Sequence, residues 1–334
     1  MFKTVSAIAI LFGGIPGTAD RDFLRQVQRV SRQIFPRPTV KHAGERALFV
    51  FRYWKNLPYS GQWLDFLSQD AMAAIADAYP PLYKKIIRPY GTRSWTAAEK
   101  LAALMDNYRF WMTAVPPQIM RKICSRQGIT LHQFATKNDL LSLQLLYDPK
   151  FNKEGETTLQ LYSSKYQCRI AALTFHVNRN LHDEPALLIG CVQGLSAETH
   201  KDTIKAVAKE MHGLRPKALL VHVTQELTAS LRIGAILGIS NREHISRHFD
   251  YTLNRSRRPL LGYDEFWIEI GGRARPNGLF NLPLRFQPRN REEISSNKRA
   301  QYKQRYALLG AIQHAVWLRM SALMGMRLPM KTVA

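Results

Sequence analysis

The chain reads as an α+β protein, in which a helical N-terminal region precedes a mixed α/β sheet domain and a C-terminal amphipathic helix. Three observations carry that reading. From Asp22 to Gln133 apolar residues recur at helical spacing between proline stops at Pro36, Pro38, Pro80, Pro81, Pro89, Pro116 and Pro117. Past Ile129 the texture changes to strand-length apolar runs separated by turn residues. From Glu292 to about Met324 one long helical pattern closes the chain. These changes set expected boundaries of 1–138 for the helical region, 139–290 for the sheet domain and 291–334 for the last helix.

The helical front carries Trp54, Tyr59, Trp63, Phe66, Tyr83, Tyr90, Tyr108, Phe110 and Trp111 among its arginines. Aromatics so placed either pack a core or form stacking platforms for single-stranded nucleic acid, and the helical spacing favours the core. The sheet domain opens with a meander of Leu140–Tyr147, Thr157–Tyr162 and Gln167–Val177, joined by turns at Asn152–Gly155 and Ser163–Lys165. Pro185–Gln193 follows as a nearly continuous apolar run, the pattern of a strand covered on both faces. After Gly194 the spacing turns helical over 199–211 and closes at His212-Gly213. A second helix runs from Ala218 to about Ser230, and the strand Ile233–Ile239 leads into the polar turn Ser240-Asn241. Phe266–Ile270 and Leu279–Leu284 then flank Gly271-Gly272 and Asn277-Gly278, which predicts a closing hairpin. In the last helix Lys298, Arg299, Lys303 and Arg305 precede an apolar stripe of Leu308, Leu309, Ile312, Val316 and Trp317.

With 334 residues and 46% hydrophobic content the chain can bury a sizeable core, and disorder is not the expectation. Its 48 Lys and Arg against 25 Asp and Glu leave a formal charge of +23. A field of that sign draws anions: a nucleotide-bearing ligand, an acidic carrier protein, an anionic membrane surface or nucleic acid. Nucleic acid ranks below lipid, because no recognised nucleic-acid motif accompanies the charge. Three widely separated cysteines, Cys124, Cys168 and Cys191, suit a reducing compartment better than a disulfide framework. Lys3 followed by the apolar Val5–Ile15 has the outline of an export signal, interrupted by Gly13, Gly14 and Pro16. No run is long enough to cross a bilayer, so the expected location is cytoplasmic, with peripheral attachment to the inner membrane as the membrane alternative.

Chemistry concentrates in 185–248. The glycines there either make the turns of an ordinary βαβ crossover, or Gly213 and the amides opening the following helix meet a phosphate with Arg215 and Lys217 supplying charge. Asn241 and His244 follow the second core strand, at the strand end where open α/β sheets place ligands. His244 is the first candidate for a catalytic base by its intrinsic pKa, and Glu265 the second. No metal-ligand spacing, Walker loop or nucleophile elbow occurs.

Five ordered blocks resemble the VirK/YbjX family of bacterial proteins: Gly190–Gly194, His212–Lys217, Gly238–His244, Tyr263–Trp267 and Lys298–Tyr302. That family is catalogued as a domain of unknown function, and its members are associated with virulence and with resistance to cationic antimicrobial peptides. No biochemical activity comes with the name. The order of the core elements is also similar to the GNAT acyltransferases. That resemblance implies an acyl-CoA or acyl carrier protein co-substrate, with Gly213, Arg215 and Lys217 on its phosphates, Gln193 and Gly194 along its thioester and Asn241 in the Asn-containing turn. The chain departs from the GNAT pattern in three ways. The usual phosphate-loop glycine motif is absent, an extra helix precedes the loop, and Ser246 and Arg247 stand where a general-acid tyrosine often follows the Asn. The competing expectation is a non-enzymatic basic protein that docks on anionic lipid through the last helix and the arginine-rich front.

Overall fold

The computed structural model describes residues 18–179, 184–248 and 262–325. The expected export-like segment lies outside them. The chain divides into two compact units, with the boundary between Arg88 and Pro89.

The first unit is helical. Its elements are α1 (Thr18–Ile34), α2 (Val40–Lys55), α3 (Tyr59–Leu67), α4 (Asp70–Ala78) and a 3-10 turn over Pro80–Lys84. The prolines between α1 and α2 stop one helix, and Thr39 starts the next by accepting the His42 N–H at 3.2 Å. Tyr53, Trp63, Phe66, Leu67 and Met72 are fully buried, so these aromatics are core. Two of these rings also hold the proline turn. The Tyr53 hydroxyl donates to the Tyr83 carbonyl at 2.6 Å and the Trp63 indole N–H to the Leu82 carbonyl at 3.4 Å.

The second unit begins with α5 (Ala97–Ala114), set by a Thr96/Glu99 capping box, and α6 (Pro117–Ile123). Eight strands follow: β1 (Ile129–Ala135), β2 (Leu140–Leu146), β3 (Thr157–Ser163), β4 (Cys168–Asn178), β5 (Ala186–Gly194), β6 (Ala235–Ile239), β7 (Arg273–Ala274) and β8 (Leu279–Leu282). They form one sheet in the order β1-β2-β3-β4-β5-β6-β8-β7. Every neighbouring pair is antiparallel except β5 and β6. Their parallel pairing requires a crossover, supplied by α7 (Ala197–Glu210) and α8 (Pro216–Ser230). α8 packs on β3, β4 and β5, and α10 (Arg299–Leu323) packs against α8 and β1. From Ile170 to Asn178 side chains of both parities on β4 are buried, so both faces of the sheet are covered there. β1, α5 and α6 thus belong to the second unit, although they precede residue 138.

Two expected elements differ. Phe266–Ile270 is not a strand but part of the helix α9 (Tyr263–Glu269). Tyr263 and Trp267 are four residues apart and both buried, while Glu265, Ile268 and Glu269 are exposed, which is a helical face and not an alternation. The hairpin is therefore confined to β7 and β8, turning at Asn277-Gly278 with Gly278 at φ 77°. The last helix begins at Arg299, since Arg291–Glu293 and Ser296–Lys298 are separate single turns. Its apolar stripe, Leu309, Ile312, Val316 and Met320, is buried.

Candidate functional site

The parallel strands do not stay paired. β5 and β6 are in register from Ala186↔Ala235 to Ile189↔Gly238, and there the ladder ends, although β5 runs on to Gly194. Against β4 the register of β5 shifts between Cys191 and Ile189, which leaves Gly190 as a bulge. A bulge bends its strand and increases the local twist. Only glycine fits at this one, because a Cβ would collide with the Glu154 carbonyl group. Beyond the bulge β5 runs past the end of β6, and side chains of α9 (Tyr263–Glu269) take the place of a strand at its edge.

α9 forms one wall of the site. The Asn241 side chain accepts the Tyr263 N–H at 2.9 Å, and the Asn241 N–H donates to Asp264 Oδ1 at 2.7 Å. This reciprocal pair pins the first turn of α9 to the end of β6. Trp267 donates its indole N–H to the Ile239 carbonyl at 2.8 Å. Its ring lies over Gly238, where a Cβ would stand 2.7 Å from the indole.

Tyr263 is consequently directed at β5. Its hydroxyl lies 3.3 Å from the Val192 N–H, which has no β6 partner, and 3.5 Å from Cys191 Sγ. Burial raises its pKa well above the ordinary 10, and Cys191 adds to the rise, so the group stays protonated. Cys191 itself is pushed up to about 12, chiefly by burial, and remains a thiol. The His244 ring packs on Tyr263 with centroids 5.3 Å apart, and Ser246 holds its Nδ1 at 2.8 Å. His244 is 2% exposed. Burial, with Arg247 nearby, lowers its pKa from 6.5 to about 4. The ring is neutral at pH 7 and a much weaker base than its intrinsic pKa promised.

α8 forms the other wall. Its first residue is Pro216, and the N-cap residue Arg215 supplies no side-chain cap, so the opening N–H groups of the helix are left to other partners. Arg215 pairs with Glu269 of α9, which joins the two walls. The stem of Lys217 lies beside Gly194, with Cε 3.2 Å from where a Cβ would be. Desolvation lowers the Lys217 pKa, Cys191 opposes that shift, and Arg215 adds to it. An open groove of about 820 Å³ runs between α8, the end of α9, the segment after β8 and α10. Arg215, Arg273, Arg285, Arg289 and Arg305 line it, and among the described residues its single carboxylate is Glu269. Phe286, Tyr302 and Tyr306 supply an aromatic wall, and the Arg305 guanidinium lies 4.2 Å from the centre of the Tyr302 ring. Gly213, at φ 78°, lets that guanidinium approach its backbone, for a Cβ would stand 2.6 Å from it.

The residues singled out from sequence are thus distributed unevenly. Gln193, Gly194 and Lys217 meet at the open end of β5. Asn241 and His244 meet under Tyr263, where Asn241 holds α9. Gly213 and Arg215 belong to the groove. Glu265 is exposed on α9, away from this gathering. Sequence reasoning passed over Tyr263 because it follows Asn241 by 22 residues, and a helix rather than a strand brings it back.

A family model described as a protein of unknown function (DUF535) matches residues 38–317. The chain belongs to that family. Among its DUF535-like relatives, the uncharacterized protein YbjX of Escherichia coli K12 is 27% identical over 270 residues, 80% of this chain and 81% of YbjX. An uncharacterized protein of Haemophilus influenzae is 26% identical over 284 residues, covering 83% of this chain and 92% of its own length. A Mannheimia haemolytica protein named membrane protein LapB is 25% identical over 217 residues, 64% of this chain and 90% of LapB. No solved structure matches the DUF535 chain. No helix of its described residues is long and apolar enough to cross a membrane.

Proposed function

We propose that this protein is an acyltransferase of GNAT-like architecture that takes its acyl group from acyl-CoA or acyl carrier protein. The observation that carries the reading is that the β5–β6 ladder ends at Ile189↔Gly238, beside the Gly190 bulge, while β5 runs on to Gly194. Beyond Val192, whose N–H meets Tyr263, the accessible end of β5 at Gln193 and Gly194 can offer backbone groups to an extended chain of amides, and a pantetheine arm is such a chain. Lys217 and Arg215 stand at that end, where the phosphate of that arm would lie, and the arginine-lined groove has room for a nucleotide or an acidic carrier surface.

In this reading an amine or hydroxyl attacks the thioester carbonyl carbon, the new C–N or C–O bond forms, and the C–S bond breaks. Tyr263, held protonated by its burial, gives its proton to the leaving thiolate, and the proton lost by the acceptor restores it through water. His244, neutral and against the Tyr263 ring, orients that ring. We take the acceptor to be a component of the bacterial envelope and the site of action to be the cytoplasmic face of the inner membrane. Support comes from the association of VirK-like proteins with resistance to cationic peptides and from the membrane-protein name of the Mannheimia relative.

Calorimetry with coenzyme A, acyl-CoA and acyl carrier protein tests the reading. Saturable donor binding is expected, weakened tenfold or more by Lys217→Ala, the order of a lost charge-assisted hydrogen bond of about 1.5–3 kcal/mol. Binding that Lys217→Ala and Arg215→Ala leave unchanged refutes the placement of the donor.

A further inference from the structure

The groove between α8 and α10 concentrates uncompensated positive charge. Of its five lining arginines, Arg215 is paired with Glu269. Arg273, Arg285 and Arg289 are exposed, and their guanidinium groups make no ion pair or hydrogen bond with a described residue. Arg305 is fixed in place, since its Nε–H donates to the His212 carbonyl at 3.1 Å and its guanidinium lies over the Tyr302 ring, but neither contact brings a negative charge. The five arginines less the one answered by Glu269 leave four cations around a concavity of about 820 Å³. That size falls within the roughly 300–1,000 Å³ of small-molecule sites.

The lining indicates what kind of anion fits. Its apolar members Leu214, Val221, Leu282 and Leu309 are buried, so little apolar surface is left to hold an acyl chain. A flat ring finds more. Phe286 lies between His222 and Tyr306, with centroids 4.5 and 5.5 Å away, and Tyr302 meets Tyr306 at 5.7 Å. These rings cross at 59–77° instead of stacking face to face, and Phe286, Tyr302 and Tyr306 are only half-buried. The Gln225 amide donates to the Pro283 carbonyl at 2.8 Å, which turns its oxygen to His222 Nδ1 at 3.1 Å. Nδ1 therefore carries the proton, and Nε2 is left as an acceptor of the kind that nucleobase N–H groups meet. Charge sets the number of phosphates: a terminal phosphate brings about −1.5 to −2 at pH 7 and each inner one about −1, so two or three are needed to answer four cations. We propose that this groove binds a nucleoside di- or triphosphate, with its phosphates on Arg273, Arg285, Arg289 and Arg305 and its base against Phe286 and Tyr306. The proposal goes beyond the acyl-transfer reading and does not rest on it, because such a ligand carries no acyl group.

Calorimetry on the full chain tests it, with ADP, GDP, CDP and UDP, their triphosphates, the bare nucleosides and inorganic pyrophosphate as probes. At least one nucleotide should saturate a single site, about tenfold or more tighter than pyrophosphate or its own nucleoside. The double variant Arg285→Ala/Arg289→Ala should weaken that binding about tenfold or more, through lost charge-assisted hydrogen bonds. Both side chains are exposed and unpaired, so the variant should melt as the parent does. Phe286→Leu should weaken the nucleotide and leave pyrophosphate unaffected. Absence of binding by every nucleotide overturns the proposal, as does nucleotide binding that the double variant keeps. Pyrophosphate that binds as tightly as the nucleotides makes the groove a general anion site and overturns it too. So does acyl carrier protein binding that the double variant loses, without nucleotide binding, which gives the groove to an acidic protein surface. Lys217→Ala should leave nucleotide binding unaltered while it weakens the acyl donor, which separates this outcome from that of the donor-binding experiment.

Discussion

Replacing Tyr263 with Phe removes one buried oxygen atom from beside β5 and leaves the ring between Trp267 and His244. What is lost is the partner of the Val192 N–H, at 3.3 Å, and the contact with Cys191 Sγ at 3.5 Å. A buried donor left unsatisfied costs about 1–3 kcal/mol. The bond is long and a buried hydroxyl disappears with it, so the lower part of that range applies, about 1–1.5 kcal/mol. For a unit of this size the melting temperature should fall by about 2–4 °C per kcal/mol, hence roughly 2–6 °C. Circular dichroism melts of the parent and Tyr263→Phe measure it directly. Turnover of an acyl donor by the same two proteins measures the chemistry, where loss of a general acid should lower kcat by about 10²–10⁴. An unchanged melting temperature would refute the claim that Tyr263 satisfies the unpaired edge of β5. A normal melting shift with undiminished kcat would leave the architecture standing and remove Tyr263 from the reaction.

The other expectations follow from burial and close approach. Because the pKa of His244 falls from 6.5 to about 4 on folding, its neutral form stabilises the fold fully above pH 6.5, and that contribution is lost as pH drops through 4. The window is worth about 3 kcal/mol, so denaturant titrations of His244→Gln should show a shallower loss between pH 6.5 and 4 than the parent. Gly190→Ala should destabilise strongly, since the new Cβ meets the Glu154 backbone carbonyl, whereas Gly194→Ala should be nearly neutral because it meets only the movable end of Lys217. Equal effects in chemical denaturation would contradict the bulge. Of the three thiols, Cys168 is half-buried and Cys124 and Cys191 are buried, so one should react promptly with a thiol reagent in the native protein and three after unfolding.

Periodicity was enough to find the meander, the long β5 run, the two crossover helices and the last helix, because each buries a continuous stripe whose spacing survives in one dimension. It also picked out the end of β5 and the start of α8, since a strand end followed by a glycine turn and a helix start is a local event. The short segment Phe266–Ile270 misled. Four apolar and aromatic residues around Glu269 fit a strand or a helical turn equally well, and the arbiter, the Asn241 side chain that caps α9, comes from a distant stretch of chain. The length of the β5–β6 ladder was equally hidden, for it depends on a bulge that exists only against β4 and on the Glu154 carbonyl lying over Gly190.

By itself, then, the sequence determined the class, the element order, the positive field and the neighbourhood of the β5 end, all of which follow from composition and local period. Only the tertiary structure decided that β5 runs on past the end of β6, and that Tyr263 meets that edge at Val192 while His244 packs beside it against Gly190. Those outcomes rest on hydrogen-bond partners and packing surfaces far apart in the chain. No window of sequence contains both halves of such a contact.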